Sequence, residues 1–150
     1  VRLRGAGIVR CDEVIKDDSG AVVELRGTLD PESRPGMEGA NRKIKGTIHW
    51  VSAAHAVEAE VRLYDRLFVV EKPDDESTGK TYRDHLNPES KRSVTGYVEP
   101  AAASAAPEQS YQFERLGYFV ADRVDHTAAR PVFNRSVTLR DTWAADKAGG

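Results

Sequence analysis

Residues 57–69, VEAEVRLYDRLFV, alternate with a period of two. Val57, Ala59, Val61, Leu63, Leu67 and Val69 share one face, and Glu58, Glu60, Arg62, Tyr64 and Arg66 take the other. Side chains of a strand point to alternate sides, so this pattern describes a half-buried strand with one dry face. Upstream, the basic cluster Arg42, Lys43, Lys45 and then Gly46 lead into the β-branched and aromatic run Thr47-Ile48-His49-Trp50-Val51. A corner of small residues, Ser52-Ala53-Ala54-His55-Ala56, joins that run to the alternating one. Two strands meeting at a compact corner are the start of a barrel or a sandwich.

The flanking segments continue in kind. Residues 1–10, VRLRGAGIVR, put Val1 and Leu3 on one side of a strand and Arg2 and Arg4 on the other. Positions i and i+2 stand about 6.5–7 Å apart, so two guanidiniums there can meet successive phosphates, or a phosphate and a base. On spacing alone the preferred reading is a solvated outer face. Gly5 and Gly7 bracket Ala6 and predict a bend or bulge. The turn Lys16-Asp17-Asp18-Ser19-Gly20, with a run over 21–29, predicts a hairpin. Residues 30–41, DPESRPGMEGAN, are dense in Pro and Gly without periodicity and are expected to form a loop.

Residues 71–91 are expected to be irregular, with one helical turn over 81–86 ahead of Asn87-Pro88. A strand over 93–99 ends at Pro100, and the alanine-rich 101–109 is expected to be a surface connection, since Pro107 and its shortness count against helix. Residues 111–122, YQFERLGYFVAD, bring together Tyr111, Phe113, Tyr118 and Phe119. A strand over 132–140 places Phe133, Val137 and Leu139 on one side, and Asp141-Thr142-Trp143 is expected to anchor it ahead of a disordered Ala/Gly tail. Roughly seven or eight short strands between turn signals, with no fixed-period repeat, make the chain all-β.

Composition then removes whole classes. Charged residues make up 31% of the 150 positions and the apolar share is an ordinary 39%, which describes a soluble globular chain. No apolar run approaches the roughly 20 residues a membrane span needs, and no signal-peptide pattern opens the chain. The lone Cys11 forms no internal disulfide and offers no metal spacing, and it fits a reducing, cytoplasmic setting. Because Val1 opens abruptly in strand-like sequence, the chain is expected to be a piece of a longer polypeptide; separately, a monomer is expected.

Catalytic signatures are missing. There is no Gly-x-Gly-x-x-Gly and no Gly-x-x-x-x-Gly-Lys-Ser/Thr. His49, His55, His85 and His126 are scattered, with no His-x-x-x-His pair to hold a metal. Ser52 and His55 could be imagined as a nucleophilic pair, but in a small-residue corner Ser caps a turn and His packs against it. Asp17-Asp18 and Asp74-Asp75 sit in turns, where Asp belongs for backbone reasons.

A nucleic-acid reading does better, although the net charge of −2 counts weakly against it. Arg2, Arg4 and Arg10, then Arg42, Lys43 and Lys45, then Gln112 and Arg115 place basic and amide groups among aromatics. Unpaired RNA bases are read by such groups on their edges and stacked on aromatic and guanidinium planes. Composition alone leaves this level with a plain interaction module.

Five strings, VRLR (1–4), GTIHWVSAAHA (46–56), EVRLYDRLF (60–68), YQFERLGYF (111–119) and RPVFNRSVTLRDTW (130–143), occur in order along the chain. Together they resemble the C-terminal half of the anticodon-binding region of the bacterial glutaminyl-tRNA synthetase family, most weakly over 71–86 and 100–110. The resemblance implies two small antiparallel β-barrels, proximal and distal and like those of a ribosomal protein. Strands would be exchanged between them, their boundary stays open, and the proximal one would be incomplete here. It also implies that Arg2, Arg4, Gln112 and Arg115 contact anticodon nucleotides, which reverses the reading of Arg2 and Arg4 as a bland face. Trp50, Tyr64, Phe68 and Trp143 would be core and barrel-closing residues.

By the same resemblance the parent is an ATP-dependent (ATP with Mg) class I ligase joining glutamine to its tRNA, while these residues hold no catalytic centre and no cofactor. The partner is a glutamine-specific tRNA, with no DNA and no membrane. The family's basic segment ahead of VRLR is not in this chain, so residues 1–150 alone are expected to bind tRNA weakly. Two alternatives share the barrel: the anticodon-binding part of an archaeal or eukaryotic-type glutamyl-tRNA synthetase, and a 5S-rRNA-binding ribosomal protein. One geometric expectation is independent of the family. Gln112 and Arg115, three apart, would face opposite sides of a regular strand, so an irregularity is predicted within 112–117.

Overall fold

The computed structural model describes residues 1–139 apart from Glu76 and Thr78. The expected anchor at Trp143 therefore lies outside the described residues. The chain divides into two compact units, Val1–Trp50 and the remainder from Val51. Each holds one sheet, and the fold is all-β as expected.

In the first unit, β1 (Arg2–Leu3), β2 (Gly7–Lys16), β3 (Val22–Asp30) and β4 (Thr47–Ile48) form a sheet in the order β3-β2-β1-β4. β1 and β2 are joined by a tight hairpin in which Leu3 pairs with Gly7, and β4 lies parallel to β1 with Arg2 opposite Thr47. A parallel neighbour needs a long return connection, and everything from β2 to residue 46 supplies it. The predicted turn at 16–20 forms as an Asx cap: Asp17 Oδ1 accepts from the Ser19 and Ala21 N–H groups at 2.9 and 3.0 Å. Beyond Cys11 on β2 and before Thr28 on β3, the ribbon is exposed on both faces save for half-buried Ile15.

Residues 30–41 are more ordered than their composition predicts. They form two 3-10 turns, Pro31–Ser33 and Glu38–Asn41. The fully buried Ser33 accepts from the Ile8 N–H at 2.7 Å and donates to the Asp30 carbonyl at 2.6 Å. A buried hydroxyl satisfied on both sides fixes the loop where sequence periodicity is silent.

The second unit orders β5 (Val57–Tyr64), β6 (Lys91–Val98), β7 (Ser110–Phe113), β8 (Gly117–Ala121) and β9 (Val132–Val137) as β6-β5-β9-β8-β7. β5 and β9 are parallel and the other pairs antiparallel. The predicted dry face of β5 holds for Ala59 and Val61, which are buried, with Val57 and Leu63 packed against them. It stops at Tyr64. Leu67 and Val69 are 56% and 63% exposed, because the chain turns at Asp65, whose N–H donates to the Ser90 carbonyl, and Phe68 then bridges to Leu86. The helical turn predicted over 81–86 is the 3-10 turn Tyr82–His85.

Three expectations need correction. Residues 101–109 are a surface connection only in part: Pro100–Ala103 form a short helix, α1, whose Ala102 and Ala103, with Ala105, are buried in the core, while 106–109 are exposed. Trp50 and Tyr64 are not core either. Both are exposed, and each spends its polar tip on a clamp: Trp50 Nε1 donates to the Arg4 carbonyl at 3.0 Å, and the Tyr64 hydroxyl donates to Asn134 Oδ1 at 2.9 Å. Val137 does not share the face of Phe133. The register shifts at Tyr118/Phe119, so Val137 lies opposite exposed Tyr118 while Phe133 lies opposite buried Ala121. One extra residue on a strand reverses every side chain beyond it.

The core is built on Phe133, fully buried, with Phe113 against it at 5.2 Å and Phe119 stacked on Phe113 at 4.4 Å between centroids. Beside it lies an ionic knot. Arg62 donates to Glu60 (2.7 Å), Asp122 (3.2 Å) and Asp125 (2.6 Å), and Asn134 Nδ2 donates to Asp122 at 2.7 Å. The predicted outer face of β5 is thus outward only in part, since Arg62 is buried. A guanidinium presents five N–H groups, and three carboxylates take one each where the core would otherwise exclude charge.

Candidate nucleic-acid interface

Gln112 and Arg115 both belong to the β7–β8 hairpin, and both are exposed. Gln112 sits on β7 directly opposite Tyr118. Residues directly opposite one another point to the same side of a sheet, so the amide and the exposed phenol ring stand together on the outer surface. Arg115 lies in the turn itself, with φ +65, and Leu116 N–H closes that turn on the Phe113 carbonyl at 2.9 Å. This is the irregularity predicted within 112–117. It frees Arg115 from strand alternation.

Arg2 and Arg4 do not share a strand face, because β1 ends at Leu3 and Arg4 already begins the turn. Arg2 is half-buried. Its guanidinium donates to the Arg42 carbonyl at 2.8 Å and more weakly to the Ser33 carbonyl at 3.5 Å. It lines a cleft of roughly 530 Å³ with Leu3, Gly5, Pro35, Met37 and Asn41. Two of its five N–H groups are spent on main chain, which orders loop 33–42 around the cleft and leaves the others for a ligand. Arg4 is exposed, and its main chain continues the parallel pairing through the Ile48 carbonyl.

Charge in the second unit is sorted by topology. The C-terminal ends of β5 and β9, the start of β6 and the β7–β8 turn all lie at one end of the sheet. The strand ends there carry Arg66, Lys91, Arg92, Arg115 and Arg135, against Asp65, Glu89 and Glu114, while the β5–β6 connection that leaves them adds both signs, Lys72, Lys80 and Arg83 with Glu71, Asp74, Asp75 and Asp84. The opposite end carries Glu58, Glu99, Glu108, Asp122 and Asp125, against Arg123 and Arg130. The strand ends themselves thus form a local basic pole, a grouping of the kind that attracts phosphate. Two residues at this pole, Tyr118 and Arg135, are absent from the sequence-derived set. The signal for Tyr118 was its spacing from Gln112 across a tight turn, and Arg135 carried none.

Other chemistry does not assemble. Ser52 Oγ does meet His55 Nδ1 at 3.0 Å, yet both belong to one turn, closed by the His55 and Ala56 N–H groups on the Ser52 carbonyl. That contact follows from three-residue spacing. Among the described residues no group of His, Cys, Asp or Glu could hold a metal ion, and no helix is long and apolar enough to cross a membrane.

Comparison with known proteins decides the family. The model of "tRNA synthetases class I (E and Q), anti-codon binding domain" matches residues 47–122, half of the chain. The chain belongs to this family. The match runs from β4 through the exposed Gln112 and Arg115 to the end of β8, and it bears out the resemblance carried by the strings. A glutamine–tRNA ligase of Xanthomonas euvesicatoria pv. vesicatoria is 83% identical over 144 residues, 96% of this chain and 25% of the relative. The protein of the same name from Xanthomonas campestris pv. campestris is 82% identical over the same span. That of Xylella fastidiosa is 74% identical over 146 residues, 97% of this chain and 25% of its own length. The chain thus spans about a quarter of the length of the curated relatives it matches.

Proposed function

We propose that these residues read the anticodon of a glutamine tRNA within a glutamine–tRNA ligase. The observation that carries the reading is the β7–β8 hairpin, which holds Gln112, Arg115 and Tyr118 exposed at a basic pole, inside an anticodon-binding domain. Gln112 offers an amide that donates and accepts at once, Arg115 a planar fork at a turn tip, and Tyr118 a ring on which an unpaired base can stack. In the first unit, Arg2 would add its remaining N–H groups and Arg4 a second guanidinium. Discrimination follows from desolvation: a wrong base leaves buried donors or acceptors unpaired, at about 1–3 kcal/mol each. The two units correspond in this reading to parts of a proximal and a distal barrel.

The parent polypeptide joins glutamine to tRNA using ATP and Mg held in its catalytic part, and acts as a cytoplasmic monomer. Identity between this chain and ligases of that name, 74–83%, favours this over a glutamyl enzyme or a ribosomal protein. The test is aminoacylation by the full-length parent, comparing tRNA with its own anticodon against tRNA with one anticodon base replaced. Arg115→Ala and Gln112→Ala should each shrink the ratio of the two kcat/KM values by tenfold or so while sparing the altered tRNA. An unchanged ratio in both variants refutes the reading.

A further inference from the structure

The basic pole of the second unit contains a cleft that base reading does not use. It has a volume of roughly 500 Å³, and its lining includes Leu63, Arg66, Arg92 and Arg135 together with the carboxylates Asp65 and Glu89. On β6, Arg92 lies directly opposite Leu63 of β5. On the other side of β5, Arg62 is opposite Asn134 of β9, so Arg135 follows as the neighbour of Leu63. The two arginines thus flank Leu63 from strands about 10 Å apart, twice the spacing of adjacent strands. Side chains of that length can close the gap on a single oxyanion.

Neither guanidinium is engaged by protein. Two arginines of this unit are consumed internally: Arg62 takes three carboxylates, and Arg130 takes Glu60 at 3.1 Å. Among the described residues, the side chains of Arg92 and Arg135 make neither a hydrogen bond nor an ion pair. Asp65 and Glu89 line the cleft as well, but neither carboxylate is paired with these two arginines, and Asp65 Oδ1 accepts from the Arg66 N–H at 2.7 Å. The stem of Arg135 runs beside Gly117, with Cδ 3.6 Å from where a β-carbon would stand. Gly117 closes the hairpin that carries Arg115. The cleft therefore adjoins the base-reading turn.

We propose that this cleft binds a phosphodiester of the RNA backbone between Arg92 and Arg135, fixing the position of the anticodon loop without contributing to base choice. The inference rests on the anticodon-reading function above. Phosphate contacts set register and supply salt-dependent affinity, whereas base contacts supply selectivity. The two roles separate in one assay.

The full-length parent would be titrated with fluorescently labelled tRNA transcripts, cognate and anticodon-altered, over a series of salt concentrations. Arg92→Gln and Arg135→Gln should each weaken both tRNAs equally, by roughly threefold to tenfold, and should lower the slope of log K against log salt by about 0.7–1 per arginine. Arg92 is exposed, so its variant tests the site without burdening the fold, and Arg135→Lys should retain the slope. An unchanged affinity and slope in Arg92→Gln would overturn the proposal. So would a loss confined to the cognate tRNA, which would make Arg92 a base reader. Gln112→Ala and Arg115→Ala in the same titration keep the two claims apart: if they lose discrimination while the cleft variants stay normal, only the cleft proposal falls.

Discussion

Gly7 and Gly117 occupy the same place in two hairpins from different units. Each has φ +150 and each closes a turn: Leu3 accepts from the Ala6 N–H at 3.1 Å, and Phe113 accepts from the Leu116 N–H at 2.9 Å. Between them sits a left-handed residue, Gly5 at φ +73 in one and Arg115 at φ +65 in the other. Aligned through this turn, Gln112 stands where Arg2 stands and Arg115 stands where Gly5 stands. One three-residue loop, whose turn is left-handed at its third residue as in a type II turn, thus carries different side chains at matched positions of the two hairpins.

The arrangement makes Gly117 costly to replace. A β-carbon there would lie 2.6 Å from the Val137 carbonyl oxygen, at a backbone angle side chains rarely adopt. Gly117→Ala should therefore lose about 2–3 kcal/mol in urea unfolding. Gly20→Ala, with φ +83 but nothing within 4 Å, should lose only about 1 kcal/mol. Equal losses would show that backbone angle alone sets the cost.

Arg115 pays for its position in backbone strain. A non-glycine residue in the left-handed region costs about 1 kcal/mol or somewhat more, and its counterpart Gly5 shows that the turn accepts glycine. Arg115→Gly should leave melting temperature unchanged or slightly raised, while selectivity for the cognate anticodon collapses. A clear drop in stability would mean that Arg115 serves the fold.

Tyr118 stands beside Gln112 on the outer face, 45% exposed. Tyr118→Ala should weaken binding of the full-length parent to cognate tRNA by about 1–3 kcal/mol, the range for losing one stacked base. Tyr118→Phe, which keeps the ring, should stay within a factor of two or so of the unaltered protein. Equal effects of Ala and Phe would assign the role to the hydroxyl.

Acid should loosen the second unit through Asp122. Its carboxylate accepts from Asn134 Nδ2 and from the Asp125 and Val124 N–H groups, with Arg62 beside it, and these hold its pKa at about 2 instead of 3.8. Glu60 is lowered too, chiefly by its hydrogen bond from Arg62. A folded-state pKa below the unfolded value means stability that is complete above about pH 4 and is lost as pH falls toward 2, to the extent of roughly 2 kcal/mol for Asp122. Asp122→Asn should remove that part of the acid dependence and be less stable at neutral pH. Arg62→Leu, which strands three carboxylates, should cost about 3 kcal/mol at pH 7 in the same denaturation series.

Much of the plan was legible in the chain itself. Strand β5, the hairpin at 16–20, the all-β class and the departure from regular strand within 112–117 follow from alternation, turn chemistry and three-residue spacing, which are local properties. The proposal of Gln112 and Arg115 as readers came from resemblance, because an exposed amide and guanidinium have no periodicity to reveal them. What escaped was set by partners distant in sequence. Ala102 and Ala103 are core because β5 lies beneath them; Val137 faces out because Ser136 is one residue too many for its partner strand; Arg62 is buried because Asp122 and Asp125 come to meet it. The same holds for Arg92 and Arg135, more than 40 positions apart, which the sheet places on either side of Leu63. Local pattern determines which residues can be strand, turn or surface, whereas strand order and register determine which of them meet. Those depend on non-local pairing energies that no short window of sequence contains.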